Sequence, residues 1–422
     1  MITDARKSGS AQVKVEVVSQ IAAVTGEAWD ACANPDPATF NPFVSHAFLK
    51  ALEDAGTVGA RTGWRPRHLV MRNGAGEIVG CAPAYLKSHS QGEYVFDYGW
   101  ADAYIQAGGR YYPKLQIAVP FTPVPGPRLL IRPVGTRSDA SAAPGADPTS
   151  AAAKDLTPAA AYESALAGAA IEIAERSNIS GVHITFLTEG EWSRLGAQGL
   201  LQRTGQQFHW SNAGYGTFED YLATLASRKR KDTRKERQQA LAGGLTVEWR
   251  RGREITEGDW DVFFQFYMDT GNRKWGQPYL NREFFSLLSA STVGDSCLLM
   301  FAKRNGRPVA GSLHLVGGEC LFGRYWGAVE HQPFLHFEMC YYQAIDYAIA
   351  HKLLRVEAGA QGEHKLARGY MPTKTYSVHH LVDPALHRAV ARFVARERED
   401  VNAACEMLAE HGPYRKAPPD PA

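Results

Sequence analysis

Cysteine is scarce and scattered: six in 422 residues (Cys32, Cys81, Cys297, Cys320, Cys340, Cys405), with no C-x-x-C and no pairing with histidine at zinc-finger spacing. That excludes a disulfide-stapled scaffold and a zinc ribbon, and leaves the thiols to be read as buried groups in a reducing compartment. Long apolar runs are missing too. No stretch approaches 18 uninterrupted apolar residues, and the opening MITDARKSGSAQVKVEVV carries charges without an apolar h-region. Neither a membrane span nor a secretion signal is expected, and the cytoplasm is the expected location. Net charge is nearly absent at +2. The basicity is local: Arg228–Arg237 (RKRKDTRKER) holds seven bases and two acids, so the remainder sits near −3 and no DNA partner is expected.

What is present is ordinary globular material, 45% hydrophobic, 21% charged and 11% aromatic, long enough for two or three domains. An internal repeat organises it. HLVMRNGAGEIVG (His68–Gly80) and LLMFAKRNGRPVAG (Leu298–Gly311) each read as a hairpin around Asn-Gly. Each is followed by Gly-Glu-x-x-Phe-x-x-x-Trp, at Gly92, Glu93, Phe96, Trp100 and at Gly318, Glu319, Phe322, Trp326, read as a strand in both copies. Ala170, Ile171, Glu172, Ala174 and Ala344, Ile345, Asp346, Ala348 then lie in helical stretches, and Val182 and Val356 fall eleven residues after Ile171 and Ile345 in the strands beyond.

Each copy therefore reads as hairpin, strand, helix, strand: an α/β (α+β) unit with a mostly antiparallel mixed sheet flanked by helices. The first copy carries an insertion at about 101–160. Its aromatic, proline-rich part, Ala101–Pro133, suits an ordered loop; Ser138–Pro158, rich in Ala, Ser, Pro and Asp, suits a peripheral, disordered excursion. Phe218, Tyr221, Leu222 and Leu225 start an amphipathic helix that the basic run continues until Gly243-Gly244 stops it. The expected division is 1–205, 206–383 entered by the basic helix, and a helix with tail over 384–422. That last helix, Ala385–Glu410, is expected to return over the first domain or the junction through Leu386, Val390, Phe393, Val394, Val401 and Leu408.

This duplicated pattern resembles the tandem GNAT (N-acyltransferase) architecture of FemAB-type aminoacyltransferases. GRYWG (Gly323–Gly327), LHFEMCYYQAIDYAI (Leu335–Ile349), GAQGEHKLARGYMPTKTYSVH (Gly359–His379) and PFTPVPGPR (Pro120–Arg128) resemble the FemAB-like family associated with peptidoglycan biosynthesis or recognition. The resemblance implies two GNAT-like domains and an N-acyltransferase or aminoacyltransferase forming an amide on a small amine, peptide-like or amino-acid-bearing acceptor. The alternative is a non-catalytic module recognising a cell-wall precursor or peptide. A GNAT domain seats its donor's pyrophosphate on a Q/R-x-x-G-x-G/A loop. Arg6–Ala11 matches as a string but follows no strand, and Arg324–Val329 comes close but ends in Val329. Acyl-CoA, aminoacyl-tRNA and a carrier-bound acyl group thus stay open as donors, with no tightly bound cofactor and no metal expected.

Amide formation needs a base, an acid and an oxyanion donor. Glu363, His364, Lys365 and Arg368 follow the expected strand Leu354–Ala358, a strand end where sites gather; Glu363 and His364 are the candidate proton carriers, and a solvated loop is the alternative. Glu338, in the first turn of the following helix, is a third catalytic candidate, although an acid there also suits the helix dipole. His336 is read as a capping or packed residue. Arg324 and Tyr325 are expected to line the site. Asp97, Tyr98, Trp100 and Tyr104, with Arg110, Tyr111, Tyr112 and Lys114, are candidates for an acceptor groove. Arg228, Lys231 and Lys235 admit three readings: a solvated face, a phosphate-binding platform, or contact with a tRNA donor. The expected active site is a mouth between Arg324–Trp326 and the helix starting near His336, with Glu338 and the 363–368 loop on its walls.

Overall fold

The structure, a computed structural model, describes residues 3–4, 13–133, 158–274, 278–360 and 362–415. The first half begins with β1 (Thr3–Asp4) and β2 (Lys14–Val18), then α1 (Gly26–Ala33) and α2 (His46–Asp54), capped by Thr25 and Ser45 through their hydroxyls. Next come β3 (Trp64–Pro66) and the hairpin of β4 (His68–Arg72) and β5 (Ile78–Ala82). Asn73 holds that turn by accepting the N–H groups of Ala75 and Glu77. β6 (Ala84–Lys87), α3 (Tyr98–Gln106), β7 (Lys114–Ile117), β8 (Leu130–Ile131), α4 (Pro158–Arg176), β9 (Gly181–Leu187), α5 (Glu189–Ala197) and β10 (Leu201–Ser211) complete the half.

The second half opens with α6 (Phe218–Thr224), α7 (Ser227–Ala240), β11 (Leu245–Arg251), α8 (Glu257–Lys274) and α9 (Arg282–Ala290). Its hairpin, β12 (Cys297–Arg304) and β13 (Arg307–Val316), turns on Asn305 and Gly306, both at positive φ (50° and 79°), as a tight two-residue turn requires. β14 (Cys320–Ala328), α10 (Leu335–Phe337), a π-helical turn (Glu338–Tyr342), α11 (Gln343–Ala350), β15 (Arg355–Glu357), β16 (Met371–Leu381) and α12 (Pro384–Glu410) follow.

The duplication survives in the pairing. β7 runs parallel to β9, with Leu115 opposite Val182, and β14 runs parallel to β15, with Leu321 opposite Val356. Val182 and Val356 thus occupy equivalent places. The Gly-Glu-x-x-Phe-x-x-x-Trp pattern does not mark equivalent strands, however. In the second copy its Phe322 and Trp326 belong to β14, whereas residues 92–97 turn and Trp100 lies in α3; the first half's counterpart of β14 is β7. The chain cannot stay extended there because Glu93 and Asp97 turn inward to meet the buried ammonium of Lys114.

The halves are interwoven. An eleven-stranded sheet runs β11-β12-β13-β14-β15-β10-β16-β9-β7-β6-β3, beside a five-stranded sheet β1-β2-β4-β5-β8. β10, from the first half, pairs with β15 of the second, and β16, from the second, pairs with β9 of the first. The boundary expected between residues 205 and 206 therefore falls inside a continuous strand, β10. One core cluster joins Phe43 and Phe48 to Phe284 and Phe322 across the halves.

The expected continuous basic helix is two helices, because Leu225 is extended and bridges to Tyr414. Ala101–Pro133 is not a plain loop: it holds most of α3 with β7 and β8. Of the expected disordered excursion, residues 138–157 lie outside the described residues, and Pro158 opens α4. α12, capped by Asp383, lies on β10 and β16. Leu386, Val390 and Val394 pack with Trp100 and Tyr111, Glu397 takes two bonds from Arg203, and Leu408 reaches the second-half core, while Phe393 stays largely exposed. No helix among the described residues is long and apolar enough to cross a membrane.

Candidate active site

β14 and β15 stay paired for only three residues, Cys320–Phe322 with Arg355–Glu357. Beyond them the strands part and a cavity of about 100 Å³ opens. Ser312 and His314 of β13 form its floor, Arg324, Tyr325 and Trp326 one wall, and Ala358 the other, while His336, Cys340 and Tyr341 come from the helical segment above. The register shifts between Leu313–Tyr325 and His314–Gly323, which leaves Arg324 as the extra, bulged residue of β14. Bulges take a residue out of the ladder and re-aim it, and they gather beside active sites.

His314 is 1% exposed, and its Nδ1 has no hydrogen-bond partner. Burial pushes its pKa down to about 3, so the ring is neutral at physiological pH. A buried polar atom without a partner at a cavity wall is a place for a ligand to bond. The Tyr341 hydroxyl lies 2.8 Å from His364 Nε2. Burial raises the Tyr341 phenol well above its ordinary value and keeps it protonated. The His336 ring packs against Trp326, Tyr341 and His364, with centroids at 5.5, 5.4 and 6.2 Å. Three imidazoles and a phenol therefore gather at one mouth.

Of the residues expected there, Arg324 and Tyr325 line the cavity and His364 stands exposed at its rim beside an exposed Glu363. Arg324 is partly committed, since its Nη2 donates to the carbonyl of Phe121 at 2.6 Å and its guanidinium lies over Phe43 and Tyr325. Glu338 is not on a wall. It is fully buried, takes two bonds from Arg237 (3.0 and 2.8 Å) and one from Gln343 (2.7 Å), and shares Arg237 with Asp346. Arg368 also works from behind: it is bidentate with Glu236 (3.1 and 2.7 Å), donates to the His364 carbonyl at 2.6 Å and covers Phe337. Lys365 is buried with Nζ on the Gly359 carbonyl, and burial lowers its pKa to about 8. Arg368 and Lys365 brace the loop that carries His364, whereas Glu338 anchors the π-helical turn to Arg237 of α7.

The basic helix α7 faces two ways. Glu236 and Arg237 bind the site's scaffold, whereas Arg228, Lys231 and Lys235 are exposed on the other sides. Lys235 borders a separate cavity of about 280 Å³ with Lys229 and Gln239.

The expected acceptor groove does not assemble. Asp97 is buried and bonded to Lys114 and to the Tyr111 hydroxyl; burial pushes its carboxyl up, but the Lys114 ammonium outweighs this, with His183 and Ser90 adding to it, and holds it below the usual carboxylate range. Trp100 is closed between His379, Arg203 and Phe393. Tyr98 is exposed and stacks on Phe96, and Tyr104 packs toward the α12 cluster. Two of the four are structural, because α12 and the Lys114 cluster enclose them.

Sequence reasoning passed over His314, Tyr341 and the role of His336. The available signal was a lone imidazole in the apolar run Leu313-His314-Leu315.

The FemAB-like family, described as peptidoglycan biosynthesis/recognition, matches residues 20–416. The chain belongs to the FemAB-like family. No curated protein matches it. Among solved structures it is similar to the C-terminal domain of a putative lysylphosphatidylglycerol synthetase from Agrobacterium fabrum, with 9% identity, a TM-score of 0.50, and 88% of this chain and 95% of that one covered. It is also similar to FemX (13%, TM-score 0.49, 87% and 98% covered) and to a tandem GNAT protein from the clavulanic acid pathway (12%, TM-score 0.43, 88% and 99% covered). At such identities a likeness speaks to fold alone. The FemAB-like chain folds as two interwoven α/β halves, each with one parallel strand pair, and the cavity described above opens where the second of these pairs parts.

Proposed function

We propose that this FemAB-like protein is an acyltransferase that forms an amide in the mouth between β14 and β15. The observation carrying this reading is the cavity where the two parallel strands part, with His314, His336 and the Tyr341–His364 pair around it. The acceptor nitrogen attacks the acyl carbonyl, so a C–N bond forms while the bond to the donor's oxygen or sulfur breaks. His364, exposed at the rim, takes the proton from the attacking amine. Tyr341, kept protonated by burial, gives its proton to the leaving atom and recovers one from His364. The bulge at Arg324 frees backbone to meet the oxyanion.

The donor reading follows from the segment between β14 and α10. Residues 329–334 (VEHQPF) contain no glycine and include Pro333. Glu330 is tied to Arg304, and Gln332 to the Gln239 carbonyl. Such a segment is poorly suited to wrap a pyrophosphate in backbone N–H groups, which favours an aminoacyl ester or a carrier-bound acyl group over acyl-CoA. The acceptor is an amine-bearing precursor of the cell-wall class, and exposed Arg228, Lys231 and Lys235 are available to phosphates on donor or acceptor.

The test is mass spectrometry of amine acceptors incubated with charged tRNAs, carrier thioesters and acyl-CoAs. Tyr341→Phe and His364→Ala should each lower turnover by about 10²-fold or more with melting unchanged. Near-wild-type turnover in both variants refutes the assignment, and retention of a precursor with no donor consumed replaces transfer with recognition.

A further inference from the structure

A second, apolar opening lies in the first half, lined by none of the residues of that mouth. Where the five-stranded sheet parts from the eleven-stranded one, a groove of about 300 Å³ runs between β2, β4, β6 and β7 under the end of α4. Leu69 and Leu115, both buried, form its floor; Val17, Leu86 and Ile173, half-buried, form its sides. An open aliphatic groove leading into a core is costly to leave against water, and such surfaces commonly mark binding sites.

The charge at its edge is one-sided. Arg67 lines the groove, and among the described residues its guanidinium bonds only to the neighbouring Pro66 carbonyl, at 2.9 Å. Arg65, two residues away on the same segment, is exposed and repels it; burial and this repulsion both lower the Arg67 pKa. The carboxylates of the bordering elements are engaged elsewhere: Glu16 of β2 with Arg72, Glu172 of α4 with Arg176, and Glu175 near His380. Two arginines beside an aliphatic groove, with the local acids otherwise paired, complement an anion attached to a hydrocarbon chain.

We propose that this groove binds a single aliphatic chain with an anionic head, the chain lying over Leu69 and Leu115 and the head on Arg67. The site lies in the first half and is independent of acyl transfer at the β14–β15 mouth.

Titration calorimetry of the full chain with dodecanoate below its micellar concentration tests this, with dodecanol as the uncharged probe. Saturable 1:1 binding of dodecanoate is expected, with dodecanol weaker. Ile173→Trp, which fills the groove, should weaken dodecanoate at least tenfold, while Arg67→Gln should weaken dodecanoate about tenfold and leave dodecanol unchanged. Thermal melting confirms that both variants fold. Absence of saturable binding, binding indifferent to Ile173→Trp, or equal affinity of wild-type protein for the two probes overturns the proposal. So does a dimer that Ile173→Trp dissociates, since the occupant is then a second copy of the chain.

Discussion

Glu338→Gln separates a scaffold residue from a proton carrier. The wild-type carboxylate is fully buried and receives Arg237 Nε at one oxygen, and Arg237 Nη2 and Gln343 Nε2 at the other. An amide keeps one of those acceptors and puts an NH₂ where the other was. Whichever way it sits, a donor then faces a donor, and a charge-assisted bond is lost. Bonds to charged groups are each worth about 1.5–3 kcal/mol. Arg237 retains Asp346 at 2.6 Å, so it is not stranded. The expected loss is therefore about 2–3 kcal/mol. Arg237→Ala should cost more, about 3–5 kcal/mol, because it leaves a buried carboxylate without its cation. Urea unfolding reads both as a lower midpoint at unchanged slope, and the double variant should fall short of the sum of the singles. Turnover per folded molecule should stay within about threefold of wild type, since Glu338 does not reach the cavity. A Glu338→Gln protein with wild-type urea midpoint and turnover down about 10²-fold refutes this reasoning and makes Glu338 a participant in the chemistry.

Two further outcomes follow from buried charge. Lys114→Met removes the cation that Glu93 and Asp97 share, both nearly inaccessible, and should destabilise the fold by about 3–5 kcal/mol in urea, whereas adding Asp97→Asn should recover part of it; a Lys114→Met midpoint equal to wild type defeats the account. Burial holds His183 and His314 down to about 3 and His379 well below its ordinary value, so the unfolded chain binds more protons than the folded one below about pH 6.5. Their contribution is complete above that pH and is lost as pH falls toward the folded values, by about 2–3 kcal/mol in all between pH 6.5 and 5.5; His379→Asn should flatten that slope, and a stability profile flat across this range excludes the mechanism.

The duplication was legible where local rules govern it: Asn-Gly turns, the helix before each parallel strand, and the eleven-residue spacing to Val182 and Val356 all act within one segment. What misled was a pattern carried by composition. Glu93 and Trp100 match Glu319 and Trp326 letter for letter, yet the first pair serves a buried ion cluster and a helix, because their partners Lys114 and His379 lie elsewhere in the chain. The same limit applies to the site. Arg324, Tyr325 and His364 could be placed by strand ends, but Glu338 looks alike as a base or as an anchor until Arg237, 101 residues away, is seen against it. The exchange of β10 and β16 was hidden for the same reason, since strand partners in a sheet are chosen by the whole fold.

The two halves share a plan but not a mouth. Aligning Leu115 with Leu321 puts Ala118, Val119 and Pro120 where Arg324, Tyr325 and Trp326 stand. The first three are buried, and Gln116 Nε2 ties β7 to β9 through Thr185 Oγ1 at 2.9 Å, so the end of this strand pair is filled with groups that cannot move a proton. In the second half the corresponding positions are Phe322 and Gly359, which can make no such side-chain bond, and the strands part. The chain that closes the first mouth then turns at Phe121, at positive φ, and offers its carbonyl to Arg324. The insertion thus fills one mouth and props the wall of the other. On the proposed reading, a duplicated unit that keeps imidazoles and a phenol at one opening, and uses the equivalent opening as its support, carries out one reaction at one site.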